Sequence, residues 1–307
     1  MHSKPKRNAI RQLVILLCAV VLLAGALYVG SWLANRNRIR EKSDAYNQMY
    51  NPVQATDPPA GTVPTETPAS TEPAGDLPEI VDRPLATPDS DTIVLALPTP
   101  PPVQESFSDL LELNPETIGF LRIDDLITLP VVQRENDNEY YLTHSFEQTE
   151  AAEGTLFLDG MNRLVPEDDC LIVYGHNMHN GTMFGELDHY DEPDFLQAHP
   201  LVTFDTIYEN RIYVPIAAFP TSMDSDNASY FEVRQFLFDS ETFDLFLNRL
   251  KSRSVLDIPV DAAYGDRLLL LVTCDYTTDN GRFILALRQL RDGETSDEVS
   301  ALIAQSK

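Results

Sequence analysis

The chain has 307 residues, 43% of them apolar and 23% charged, enough for one full hydrophobic core with sequence to spare. Three cysteines are too few for a disulfide-stapled miniprotein, and the apolar share is too high for a wholly disordered chain. A formal charge of −26 excludes nucleic acid as a main partner, because phosphate backbones need neutralising Lys and Arg.

The averages conceal unlike segments. Residues 1–42 hold 8 Lys and Arg against the single acid Glu41, and 13 of the 22 prolines lie between Pro52 and Pro102. From Leu13 to Ala34 no residue is charged, and these 22 residues would span about 30 Å of hydrocarbon as a helix. Tyr28 and Trp32 sit near one end, where interfacial aromatics are favoured. A cleaved signal peptide with Ala24-Gly25-Ala26 at its cleavage site is the rival reading. The apolar run continues past that point, so residues 13–34 read as an uncleaved transmembrane anchor. Lys4, Lys6, Arg7 and Arg11 precede the helix, and Arg36, Arg38, Arg40 and Lys42 follow it. A short cytoplasmic N-terminus, residues 1–12, with the acidic body outside is the simpler topology.

Residues 35–103 read as a disordered stalk rich in Pro, Thr and acids. From residue 43 onward this composition cannot bury a core and tends toward extended polyproline conformations. At about 3 Å per residue the stretch could reach well over 100 Å, a spacer that lifts a domain off a membrane through a cell wall.

Residues 104–307 read as the globular part. Phe107–Leu113 is expected to be a short helix, and a second helix is expected over Ser240–Lys251, with an apolar stripe of Phe243, Leu245, Phe246, Leu247 and Leu250. Strands are expected at Thr117–Ile123, Leu129–Val132, Gly154–Leu158, Leu171–Tyr174, Leu201–Asp205, Arg211–Phe219, Leu268–Thr273 and Phe283–Leu287. Many short strands with few helices imply a mostly β domain, a barrel or sandwich of about 200 residues.

The strongest chemical clue is a hairpin. The apolar run Leu268–Val272 ends in Thr273 and Cys274, a polar connection follows, and the next strand opens with Arg282. If the strands pair, Cys274 and Arg282 face each other across the mouth of the loop. A guanidinium there favours the thiolate and can donate to a developing oxyanion. Taken singly, Cys274 also reads as a small buried hydrophobe and Arg282 as a solvated strand end. The second clue is Tyr174-Gly175-His176-Asn177-Met178, which puts His176 at the exit of another strand, with Gly175 permitting a tight turn. A lone His in such a loop is commonly structural. A Cys, a His and an Arg, each at a strand terminus, together suit thiol-based acyl transfer.

The other cysteines are poor candidates. Cys18 lies in the anchor, and Cys170 starts the strand that His176 ends, roughly 20 Å away. His176, His179, His189 and His199 match no zinc spacing, and neither a Gly-rich phosphate loop nor a G-x-S-x-G elbow is present. No metal and no cofactor is expected.

Thr273-Cys274-Asp275-Tyr276 followed by Arg282 resembles the T-C-x-Y…R signature of sortases. The resemblance to class B sortases is denser at Tyr174–Met178 and Gly181–Gly185. It extends through Thr117–Leu121, Pro130–Gln133, Glu139–Leu142 and Gly154–Asp159, and covers the whole globular part. The helix at 240–251 is similar to the helical insertion of that class. The resemblance implies a sortase-type closed β-barrel over 104–307, carrying a cysteine transpeptidase. Such an enzyme cuts a C-terminal sorting signal of a secreted protein after Thr and passes the acyl group, through a Cys thioester, to an amine. By carry-over, Cys274 is the nucleophile, His176 the general acid/base and Arg282 the oxyanion or substrate anchor. Thr273, Tyr276 and Tyr230 are candidate substrate contacts, though the aromatics, with Phe231, also read as packing. The acceptor is a peptidoglycan amine, or a pilin Lys in a pilin-polymerising relative; a hydrolytic cysteine protease is the weaker alternative. The implied location is a Gram-positive-type cell membrane, single-pass, with the catalytic domain outside.

Overall fold

Runs of β-branched and apolar residues become strands in the computed structural model, which describes residues 4–50, 98–275 and 281–307. The strands are β1 (Thr117–Ile123), β2 (Ile127–Val132), β3 (Leu156–Leu158), β4 (Cys170–Gly175), β5 (Val202–Thr206), β6 (Ile212–Ser222), β7 (Leu268–Asp275) and β8 (Gly281–Gln289). They close into a barrel in the order β1-β2-β3-β4-β7-β8-β6-β5. Closure removes open sheet edges, and β7 is apolar at every position from Leu268 to Val272, all of them buried. Each expected strand is present within a few residues. Of the two architectures the composition allowed, the barrel is the one formed.

Two pairings carry the site. β4 and β7 run parallel, with Gly175 beside Thr273. β7 and β8 run antiparallel, with Cys274 directly opposite Arg282.

Helices pack outside the barrel. A 3-10 turn (Glu105–Phe107) leads into α2 (Ser108–Leu113), covering the expected first helix. The expected long helix is α4 (Ser240–Arg253), which follows the shorter α3 (Pro193–Ala198). α4 starts with a capping box between Asp239 and Thr242 and buries Phe243, Phe246 and Leu250 along one face. α5 (Ser296–Ile303) starts with a second capping box between Thr295 and Glu298, a signal readable in the sequence.

The N-terminal helix departs from expectation. α1 runs unbroken over Lys4–Met49, so the apolar stretch and the basic residues after it form one helix. Its Gln12–Met49 part is long and apolar enough to cross a membrane. Residues 35–50, expected in the stalk, dock on the barrel instead. Ile39, Tyr46 and Tyr50 are buried, at a spacing that puts them on one helix face. The Tyr50 ring stacks on Phe120 at 4.4 Å between centroids and meets Phe107 at 4.8 Å, and its hydroxyl donates to buried Asp205 at 2.7 Å. Tyr46 sets its edge against Phe146 and donates to Glu147 at 2.7 Å. Lys42 pairs with Glu147 at 2.8 Å, Arg38 with Glu153 at 2.9 Å, and Ser43 donates to the Thr128 carbonyl at 2.6 Å. The docked face is sparse, with apolar contacts set among charged residues, which is why it reads as polar linker. The remainder of the expected stalk, residues 51–97, lies outside the described residues.

Candidate active site

β7 is parallel to β4, so both strands deliver their C-terminal ends to the same rim of the barrel. β8 is antiparallel to β7 and starts at that rim. Its first residues, Gly281 and Arg282, therefore stand beside the residues that end β7. The fold thus brings Thr273, Cys274, His176 and Arg282 to one end of three adjacent strands.

Below this rim lies a cleft of about 180 Å³, lined by Leu142, Tyr174, Thr273, Arg282, Arg234 and Asn138, among others. Thr273 is 1% exposed, and its Oγ1 has no hydrogen-bond partner among the described residues. A buried hydroxyl without a partner is costly in a folded protein unless something else supplies the bond. Arg282 is half-buried, and its Nη1 donates to the Gly281 carbonyl at 2.8 Å.

Gly175, expected to permit a tight turn, has no positive φ and is instead closely packed. A Cβ on it would fall 2.4 Å from the Leu156 side chain and 2.7 Å from the Phe184 ring. Gly is needed there for space against Leu156 and Phe184. The His176 carbonyl accepts from the Phe184 amide at 2.9 Å. On its other side, His176 Nε2 stands 2.7 Å from the Leu142 carbonyl oxygen. A carbonyl only accepts, so Nε2 is the donor in this contact, which fixes the orientation of the ring.

The Leu142 carbonyl is itself held. It ends a 3-10 turn (Tyr140–Leu142) in which the Tyr141 hydroxyl donates to Glu116. Arg134 bonds the same carboxylate at 2.8 Å, and its guanidinium lies 3.5 Å from the centroid of the Tyr140 ring. Burial works against Glu116 ionising, but the bonds from Arg134 and Tyr141 outweigh it and hold its carboxyl below the usual range. Burial, with the Glu116 bond next in weight, pushes the Tyr141 hydroxyl up to about 12, so it stays a donor at neutral pH.

A second guanidinium, Arg234, lines the cleft. Its Nε donates to Asp159 at 3.0 Å, and this fully buried carboxylate also accepts from Asn138 Nδ2, the Tyr174 hydroxyl and the Met161 amide. Arg234 is thereby held at the cleft wall, half exposed, in a protein of strongly negative charge.

The remaining candidates fall elsewhere. Tyr230 is not among the cleft-lining residues, and its hydroxyl donates to Glu232 at 2.5 Å. Phe231 is fully buried between Phe219 and Phe246, where it packs. Tyr276 lies outside the described residues. Cys170 is buried at the start of β4, where burial pushes its thiol well above the usual range, and Cys18 is exposed on α1. Among the described residues, no three His, Cys, Asp or Glu side chains are grouped to hold a metal ion.

Over 189 residues, 60% of this chain and 73% of the relative, the sequence is 33% identical to sortase B of Listeria monocytogenes. The chain belongs to the class B sortase family. Its fold matches the crystal structure of Clostridium perfringens sortase B with a TM-score of 0.52 at 27% identity, covering 60% of this chain and 98% of that one. It matches the Staphylococcus aureus sortase B–substrate complex with a TM-score of 0.54 at 26% identity, covering 62% and 86%. No protein-family model matches the chain. This class B sortase is therefore a cysteine transpeptidase on a closed barrel.

Sequence reasoning missed Arg234, Asp159 and the Leu142 carbonyl in this class B sortase. Asp159 and Leu142 stand inside segments that carried the family resemblance, but their roles depend on partners 75 and 34 residues away. No local pattern announces such pairs.

Proposed function

We propose that this class B sortase cleaves a C-terminal sorting signal of secreted proteins after Thr and joins the new carboxyl end to an amine of peptidoglycan. Cys274 attacks the Thr carbonyl carbon as thiolate, forming a C–S bond. Arg282 donates to the oxyanion that develops. The C–N bond then breaks, and the leaving amine takes a proton from the His176 imidazolium. The acceptor amine next attacks the thioester, giving its proton to His176 as the C–S bond breaks, and the thiolate returns. Thr273 Oγ1 and Arg234 hydrogen-bond the signal in the cleft. α1 anchors the enzyme in the cell membrane, with the barrel outside.

The observation that carries this reading is the register: Gly175 beside Thr273 and Cys274 opposite Arg282, so that nucleophile, base and anion partner belong to one rim. The Thr273 hydroxyl in the cleft, unpartnered among the described residues, supports occupancy by a polar substrate.

The test incubates the full chain in detergent with sorting-signal peptides, including Asn-Pro-x-Thr types, with and without added amines. Amide products that require both amine and Cys274, and vanish in Cys274→Ala, are expected. Preference for a wall-peptide amine over a protein Lys supports wall attachment, and the reverse supports pilin polymerisation. Release of free acid alone, at every amine concentration, would sink the transpeptidase reading in favour of hydrolysis.

A further inference from the structure

The docking of α1 bears on where the barrel works. The last residue of the uncharged apolar stretch is Ala34, and the barrel is already in contact at Arg38 and Ile39. Five helical residues rise about 7 Å, close to the depth of one headgroup layer. No linker intervenes, since α1 is continuous to Met49.

The Pro-rich segment cannot set this distance. The chain leaves the barrel at Tyr50 and is back on it at Phe107, whose ring lies 4.8 Å from that of Tyr50. Gln104 is also bonded there, through its amide, to the Ile207 carbonyl at 2.8 Å. Both ends of the intervening segment are pinned to one place, so whatever its conformation it is a side excursion, outside the path from helix to barrel.

The turns of α1 nearest the apolar stretch face a particular side of the barrel. Ile39, Arg40 and Ser43 share a groove with Gly181, Thr182 and Met183. Met183 bridges to Asn177, the residue after His176.

The geometry points to a membrane-surface enzyme: α1 clamps the barrel against the lipid headgroups, with the His176 loop beside the bilayer, and the Pro-rich segment is no spacer. This rests on the reading of α1 as a membrane anchor. It replaces a separation that could exceed 100 Å by one of about 10 Å, a difference that energy transfer resolves.

The experiment places a donor dye on the full chain at Ala152→Cys, an exposed position next to Glu153, with Cys18→Ser and Cys274→Ser removing competing thiols. The protein is reconstituted into phosphatidylcholine–phosphatidylglycerol vesicles carrying an acceptor-labelled headgroup. Loss of most donor emission is expected, unchanged when residues 51–97 are replaced by a short Gly-Ser linker. Donor emission that stays high in membrane-retained protein, or falls only after that shortening, would overturn the clamp and leave the anchor intact. Release of the protein by carbonate washing would overturn the anchor, and the clamp with it.

Discussion

Arg282 opposes Cys274 across two paired strands, and the proposed chemistry asks it to meet negative charge as it develops. A lysine keeps the charge but loses the planar fork of donors. Arg282→Lys is expected to lower kcat/KM for an accepted peptide by about a hundredfold or more, mostly in kcat. A change confined to KM would show that Arg282 only holds substrate. Arg234 has the opposite expectation. It is fixed by Asp159 at the cleft wall, so Arg234→Gln should raise KM by about tenfold with kcat little changed. Asp159 keeps three other donors in that variant, so thermal stability should hold. The opposition of Cys274 and Arg282 was legible in the sequence, because one short hairpin contains both. Gly175 was legible as permitting a tight turn, but its crowding by Leu156 and Phe184, on other elements, was not. The Asp159–Arg234 pair was not legible, because closure of the barrel rather than local spacing brings it together.

Among the elements, strands were the easiest to read and α1 the hardest. β7 and β8 are nearly continuous apolar runs bounded by polar residues, a pattern set by burial on both faces. The docked turns of α1 carry Ile39, Tyr46 and Tyr50 among Arg, Lys, Asn and Asp, and Tyr50 falls just beyond the helix end. Tertiary contact, rather than an amphipathic stripe, holds them. Tyr50 measures how much this docking matters. Tyr50→Ala removes a ring packed on Phe107 and Phe120, and should cost about 3–5 kcal/mol in denaturant unfolding. Tyr50→Phe keeps the ring but strips a donor from buried Asp205, and should cost about 1–3 kcal/mol. Equal stability in all three proteins would mean that α1 is not part of the folded domain. The same contacts argue that a soluble fragment should begin before residue 39 rather than at residue 104.

The whole molecule is strongly acidic, yet the helix-to-barrel contacts match cations of α1 with carboxylates of the barrel. Burial works against the charge on Glu147, but bonds from Lys42, Tyr46 and Ser145 outweigh it and lower its pKa from 4.5 to about 2. The folded value lies below the unfolded one. Ionised Glu147 therefore stabilises docking above about pH 4.5, and this contribution is lost as pH falls from about 4.5 toward 2. Thermal melts of the full chain should show Tm falling between about pH 5 and 3, with a smaller fall in Glu147→Gln. Parallel curves for the two proteins would remove Glu147 from the account.

Every role assigned at the rim depends on acyl transfer passing through Cys274. The measurement that reaches it most directly is the intact mass of the full chain mixed with an accepted peptide and no amine, followed by digestion. The expected result is an adduct with the mass of the N-terminal peptide fragment as an acyl group, located on Cys274, which disappears as amide product forms when amine is added. Amide product formed without that adduct, or formed by Cys274→Ala, would contradict it.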